Sequence, residues 1–338
     1  MNNLLEPFYV DRQLNHFNIQ TLVIESKVLK KNPLGDPTKR FSPVLVPKNV
    51  DKPLSVVLVL AGFSGNGTKY FNQRFHDPGF PETLDSLVEA GQAPNSVYVF
   101  VDAMTYWGGS QFINSAGCGR YEDYLLDELL PTLEGQLLID SSRVAVFGGS
   151  SGGYGALHLA SSHPQRFPYA VAIAPDSFFE ASLLPEVRQA LYAIKELGGV
   201  EGMKRKLKAG RLQKRRDFHT LMNAVGMAYC YSDKIKKSEP QWPVDMETGA
   251  LKKDIWKSWL KHDPVVFLKE RRSKVKKVKG IYLDVGTHDQ YCLQYGTRQI
   301  FKVLKSMNAK FSYSEFDGNH FDISLRRPEA LAWLKRYL

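Results

Sequence analysis

Cysteine is scarce in this chain. The three present, Cys118, Cys230 and Cys292, stand far apart and show neither the spacing of a disulfide framework nor that of a zinc site. Reduced thiols are therefore expected, with no metal and no cofactor. Long apolar runs are also missing: nothing approaches the ~20 residues that a membrane span requires. Met1 to Val10 carries no cationic segment followed by an apolar core, so a secretory leader is not expected and a cytoplasmic location is. Internal repeats and low-complexity tracts are absent too. Acidic residues are in deficit, 35 Asp and Glu against 45 Lys and Arg, and the resulting charge of +10 permits an anionic partner without naming one. The basic residues cluster in Lys204 to Arg216 and Arg271 to Lys279, where no aromatic side chains interleave to stack on bases. Solvated helix and loop faces are the expected reading, which disfavours a nucleic-acid partner.

What is present is the pattern of a single α/β domain spanning 1–338, with strands and helices in alternation and a mainly helical, basic insertion at 177–262. The most informative stretch runs from Val144 to Ala156. There an apolar run breaks into Gly149-Ser150-Ser151-Gly152-Gly153 and resumes as a helix from Tyr154. A serine on a sharp strand-to-helix turn is exposed for attack and accessible to a base, and Ser151 is the expected nucleophile.

Elsewhere, residues 21–30 and 42–46 read as an antiparallel opening, and Ser55 to Leu60 as a strand buried in the middle of a parallel sheet. The glycine-rich Ala61-Gly62-Phe63-Ser64-Gly65 follows it directly. Residues 73–89 contain a helix, 96–101 the next strand, and 102–118 a long loop mixing aromatics, amides and glycines. Such a loop suits a binding surface, which makes Tyr106, Trp107 and Asn114 candidate substrate contacts; packing of the loop on the sheet is the alternative. Tyr121 to Leu133 reads as an amphipathic helix, 169–174 as a strand, and Met222 to Tyr231 and Trp242 to Trp259 as helices of the insertion. Strands at 280–285 and 310–316 flank a helix at about 291–307 and lead to Gly286-Thr287-His288-Asp289 and Asp317-Gly318-Asn319-His320.

In a mostly parallel sheet of about eight strands, functional groups gather in the loops at the strands' carboxyl ends. A nucleophilic serine needs a base within hydrogen-bond reach and a carboxylate to orient that base. Position just beyond the last strand selects His320. His158 and His163 fall on the helix after the nucleophile, and His76, His219, His262 and His288 remain alternatives. Asp289, on a short loop after its strand, gives the order Ser, Asp, His. Its rival is Asp176, which also follows a strand; Asp284 lies inside one. Backbone N–H groups of Phe63 and Gly152 are the expected oxyanion donors.

These motifs, with Asn32-Pro-Leu-Gly-Asp-Pro37, Gly119-Arg-Tyr-Glu-Asp-Tyr124 and the following Glu128-Leu-Leu-Pro131, resemble the putative esterase family of α/β-hydrolases, which includes esterase D (S-formylglutathione hydrolase), feruloyl esterases and mycolyltransferases. The resemblance covers most of the chain. It implies an α/β-hydrolase fold with helices on both faces of the sheet, a Ser151, Asp289, His320 triad, and metal-free hydrolysis of a small-molecule ester through an acyl-enzyme. Two departures stand out: Ala61-Gly62 replaces the His-Gly of many relatives, and the insertion is larger than in compact members. An acyltransferase using the same site and a non-catalytic module binding an anionic polymer are the rival readings. A homo-oligomer stays open.

Overall fold

The run Leu54–Leu60 is buried at every position, as the middle of a two-sided sheet requires. It is one of eight strands in a single sheet: β1 (Phe17–Glu25), β2 (Lys39–Pro47), β3 (Leu54–Leu60), β4 (Val97–Phe100), β5 (Ile139–Gly149), β6 (Tyr169–Ile173), β7 (Gly280–Gly286) and β8 (Phe311–Phe316). The computed structural model describes residues 13–48, 51–72, 78–236 and 239–338. The strand order is β1-β2-β4-β3-β5-β6-β7-β8. The strands from β3 onward run parallel, while β2 is antiparallel to both β1 and β4.

Alternation along β3 divides the core between two faces. Val56, Leu58 and Leu60 join one apolar cluster, and Val57 and Val59 join the other. The helices that cover these faces and build the site are α1 (Phe80–Glu89), α2 (Ser151–Ser162), α3 (Leu183–Glu196), α4 (Phe218–Cys230), α5 (Lys253–Leu260), α6 (Leu293–Ser306) and α7 (Arg327–Leu334). Leu157 of α2, Leu183 of α3, Val225 of α4 and Ile300 of α6 pack in the first cluster, whereas Phe80 and Leu84 of α1 and Leu331 and Leu334 of α7 pack in the second. Covering both faces buries nearly all of the apolar surface of β3 to β7, the dominant favourable term in folding. No helix among the described residues is long and apolar enough to cross a membrane.

Two expectations change. Trp242 to Trp259 is not one helix: α5 begins only at Lys253. Pro243 and Gly249 interrupt the preceding stretch, and the Asp245 carboxylate accepts from the N–H groups of Glu247 and Thr248 to hold a turn instead. The cysteines, distant in sequence, are not all distant in space. Cys118 and Cys230 are buried with their sulfurs 3.3 Å apart, and the hydrogen bond between them, then burial, holds the Cys118 thiol well above its ordinary pKa. His76 and Met1 to Val10 lie outside the described residues.

Candidate active site

The turn after β5 holds a strained residue. Ser150 adopts φ 57° and ψ −128°, with α2 beginning at the next residue. A left-handed φ at a non-glycine residue costs on the order of 1–3 kcal/mol and persists only where the surroundings enforce it. Two glycines do so here. A Cβ on Gly148 would lie 2.3 Å from the Gly152 carbonyl carbon, and one on Gly152 would lie 2.2 Å from the Leu60 carbonyl oxygen. The strand end, the helix start and β3 thus close on one another around Ser150, the middle residue of Gly148-Gly149-Ser150-Ser151-Gly152. Gly153 is under less pressure, with a virtual Cβ 3.3 Å from its neighbours. Gly152→Ala should therefore destabilise the fold sharply, by about 3 kcal/mol or more, and Gly153→Ala markedly less; thermal melting of the two variants measures the difference.

The serine that meets the histidine is therefore Ser150 and not Ser151, which corrects the expectation from sequence. Ser150 Oγ lies 3.0 Å from His320 Nε2, and His320 Nδ1 lies 2.7 Å from Asp289 Oδ2. Asp289 is buried, and its other oxygen accepts from the Tyr291 N–H at 2.9 Å, so the carboxylate faces the imidazole in one orientation. An ionised carboxylate can only accept, so Nδ1 carries the proton and Nε2 is free to accept from the Ser150 hydroxyl. The backbone turn is pinned as well: the Asn319 side chain accepts from the Phe321 N–H, and Asp322 accepts from the Asn319 N–H, a reciprocal cap directly at His320. Tyr291 packs edge-on against the imidazole, ring centroids 4.8 Å apart.

Ser151 points elsewhere. Its hydroxyl donates to Asp176 Oδ2 at 2.7 Å, and the same oxygen accepts from Gln111 Nε2 at 3.0 Å. Asp176 Oδ1 lies 3.3 Å from Ser150 Oγ, so this second carboxylate touches the serine pair but has no hydrogen bond to His320. Between the two acids weighed from sequence, geometry gives the histidine to Asp289. Of the other histidines weighed from sequence, His158 and His163 both bond Glu122, His288 pairs with Asp317, and His262 is pushed down to about 4 chiefly by burial. His219 lines the same cavity as Ser150 without a hydrogen bond to it, and burial, then the neighbouring His320, lowers its pKa.

Phe63 lies on the loop after β3 and lines the cavity. Its ring fits a slot left by Gly108 and Gly226, whose virtual Cβ atoms would approach it to 2.9 and 3.0 Å, and this wedge fixes the loop. Among the described residues the Phe63 N–H has no hydrogen-bond acceptor. Gly152 does not line the cavity; it is pressed against Leu60 and Ala61. Since the residue after Ser150 is Ser151, the helix N-terminal N–H available at that place is that of Ser151.

Of the expected substrate contacts, none lines the cavity around Ser150. Trp107 is fully buried and stacks on Tyr229, Tyr106 is 42% exposed and turned outward, and Asn114 donates to Asp123 at 2.7 Å to hold its own loop. Trp107 thereby packs this loop onto α4, and Phe112 packs it against Gly155 of α2. The cavity measures about 340 Å³, and its wall comes instead from Ser182, Leu183 and Glu186 at the start of α3, His219 and Asn223 of α4, and Tyr291.

Glu186 was not legible as a site residue. Burial raises its carboxyl to about 7, against a lowering hydrogen bond from Asn223 and a further raising effect of Asp176. An acid whose folded-state pKa lies above its unfolded value stabilises the fold at low pH and loses that contribution as pH rises through the folded value. Wild-type stability should accordingly fall between pH ~4.5 and ~7 by as much as about 3 kcal/mol relative to Glu186→Gln, read from denaturant midpoints of both proteins at pH 5 and 8.

Comparison with known proteins identifies a family and a fold. A family model described as "Putative esterase" matches residues 39–321. Among solved structures, the chain is similar to a ferulic acid esterase at 17% identity, covering 96% of this chain and 100% of that one with a TM-score of 0.62. It is similar to the fluorophosphonate-binding serine hydrolase F of Staphylococcus aureus at 14% identity, with coverage of 95% and 99% and a TM-score of 0.60. An S-formylglutathione hydrolase from Agrobacterium tumefaciens matches at 16% identity, with coverage of 97% and 98% and a TM-score of 0.56. At such identities these likenesses establish the fold. No curated protein sequence matches the chain.

Proposed function

The chain belongs to the putative esterase family and is a carboxylic ester hydrolase, and from that premise we propose that it acts through an acyl-enzyme formed on Ser150. The observation that carries this is the chain of contacts from Ser150 Oγ to His320, 3.0 Å, and from His320 to Asp289, 2.7 Å, at a strained strand-to-helix turn inside the cavity. Ser150 Oγ attacks the ester carbonyl as His320 Nε2 takes its proton, and Asp289 stabilises the imidazolium. The tetrahedral oxyanion is held by the N–H groups of Phe63 and Ser151. His320 then returns the proton to the departing alcohol. In the second half-reaction water, deprotonated by His320, attacks the acyl carbonyl, and Ser150 leaves as the hydroxyl. The segment 177–262 acts in this reading as the element that sizes the site, since α3 and α4 supply one wall.

The test is a fluorophosphonate probe followed by peptide mass spectrometry, with nitrophenyl acetate and nitrophenyl butyrate as substrates. The expected result is turnover of both esters, stoichiometric modification of Ser150 and loss of turnover in step with labelling. Turnover that survives full labelling, or a label on Ser151, would overturn the Ser150 mechanism.

A further inference from the structure

The cavity around Ser150 is not electrically uniform. On the side formed by Phe63, Ser64 and the residues after His320, two cations line it, Lys69 and Arg327. Both stand just after segments that carry groups of the site. Lys69 follows the oxyanion loop and folds back over it, so that a Cβ on Gly65 would meet its Nζ at 2.8 Å. Arg327 opens α7, directly after the short helix His320–Arg326.

Both cations rest on the same aromatic ring. Lys69 Nζ is 5.8 Å from the Tyr70 centroid and Arg327 Cζ is 5.0 Å from it, with Phe80 at 5.1 Å on Arg327 as well. Neither is paired with a carboxylate among the described residues, although ion pairs occupy the neighbouring positions: Arg326 bonds Asp284 at 2.7 Å and also meets Glu329. The two charges feel each other, since the Lys69 ammonium is held below its ordinary pKa by loss of hydration and then by Arg327. Two like charges on the cavity wall, with no carboxylate paired to either among the described residues, make an arrangement completed by an anion.

We propose that Lys69 and Arg327 form an anion subsite, and that the ester this enzyme is built for carries a carboxylate or phosphate within reach of that subsite. The proposal rests on the ester-hydrolase reading above. Arg327 supplies a planar fork suited to either anion and Lys69 a point charge. A charge-assisted contact of this kind is worth ~10- to 100-fold in kcat/KM for the charged over the neutral substrate. The preference should shrink at high ionic strength, because Lys69 and Arg327 both keep partial contact with solvent.

The experiment compares 4-nitrophenyl hemiglutarate with 4-nitrophenyl butyrate, which places the anion on the acyl half, and 4-acetoxybenzoate with phenyl acetate, which places it on the alcohol half. The readout is the ratio of kcat/KM within each pair, for the wild type and for Lys69→Gln/Arg327→Gln. General damage to the fold lowers both members of a pair and leaves their ratio alone. The expected result is a ratio of at least ~10 in one arm that falls to about 1 or below in the double variant, and that arm identifies which half bears the anion. A wild-type ratio near 1 in both arms, or a ratio that survives the double substitution, overturns the subsite while leaving the hydrolase intact. Calorimetric titration of Ser150→Ala with the same four esters makes the comparison without turnover. If wild-type protein hydrolyses none of them, the hydrolase reading fails, and equal affinities for charged and neutral esters in this titration would then overturn the subsite separately.

Discussion

Ser150→Ala is expected to lower kcat/KM for nitrophenyl esters by ~10⁴-fold or more, while Ser151→Ala stays within ~10-fold of wild type. The two serines are adjacent, equally small and both held in hydrogen bonds, yet only one of them faces the imidazole. Ser150 sits at φ 57° with its Oγ 3.0 Å from His320 Nε2. Ser151 occupies the first turn of α2 and gives its hydroxyl to Asp176. Replacing Ser150 removes the atom that forms the new bond. Replacing Ser151 removes one hydrogen bond to a carboxylate that Gln111 still donates to, and it leaves the backbone N–H in place for the oxyanion. Steady-state rates with melting curves for both variants decide the matter. Loss confined to Ser151→Ala would return the mechanism to the other register, and equal losses would mean that the network around Asp176 governs the serine's position.

That register is the point at which sequence ran out. The stretch Gly148 to Gly153 writes the same Gly-x-Ser-x-Gly pattern twice, once around Ser150 and once around Ser151. Choosing between them requires knowing which glycines meet backbone, and Gly148 and Gly152 meet each other and Leu60 only because β3 and β5 are neighbours in the sheet. The strands themselves were legible. Uninterrupted apolar runs such as residues 56–60 and the turn residues bounding them specify buried parallel strands by composition alone, and His320 and Asp289 were singled out as polar residues just past two strands. The loop at 102–118 misled for the opposite reason. Its aromatic content is the same whether Trp107 faces a substrate or stacks on Tyr229, and composition carries no direction. Glu186 stayed hidden because it lies on α3, where nothing local says which helix face turns toward the serine.

Asp289→Asn should cost ~10⁴-fold in kcat with the fold retained, and Asp176→Asn should cost ~10-fold. The amide is nearly isosteric, so its oxygen can still accept from the Tyr291 N–H and the loop keeps its shape. What changes is the partner of His320 Nδ1. An amide nitrogen turned toward the imidazole donates where the carboxylate accepted, which forces the proton onto Nε2. The Ser150 hydroxyl then faces a donor and has no base, and the imidazolium that forms in the transition state loses its counter-charge as well. At Asp176 the same exchange alters a carboxylate that contacts Ser150 Oγ only at 3.3 Å and has no hydrogen bond to the imidazole. Its effect is therefore confined to how well the serine is aimed. Proton NMR of the His320 ring separates the two: the low-field Nδ1 resonance expected of an imidazole held 2.7 Å from a buried carboxylate should persist in Asp176→Asn and vanish in Asp289→Asn. Rates that fall equally in both variants, with that resonance retained in both, would show that Asp289 orients a histidine the reaction does not use.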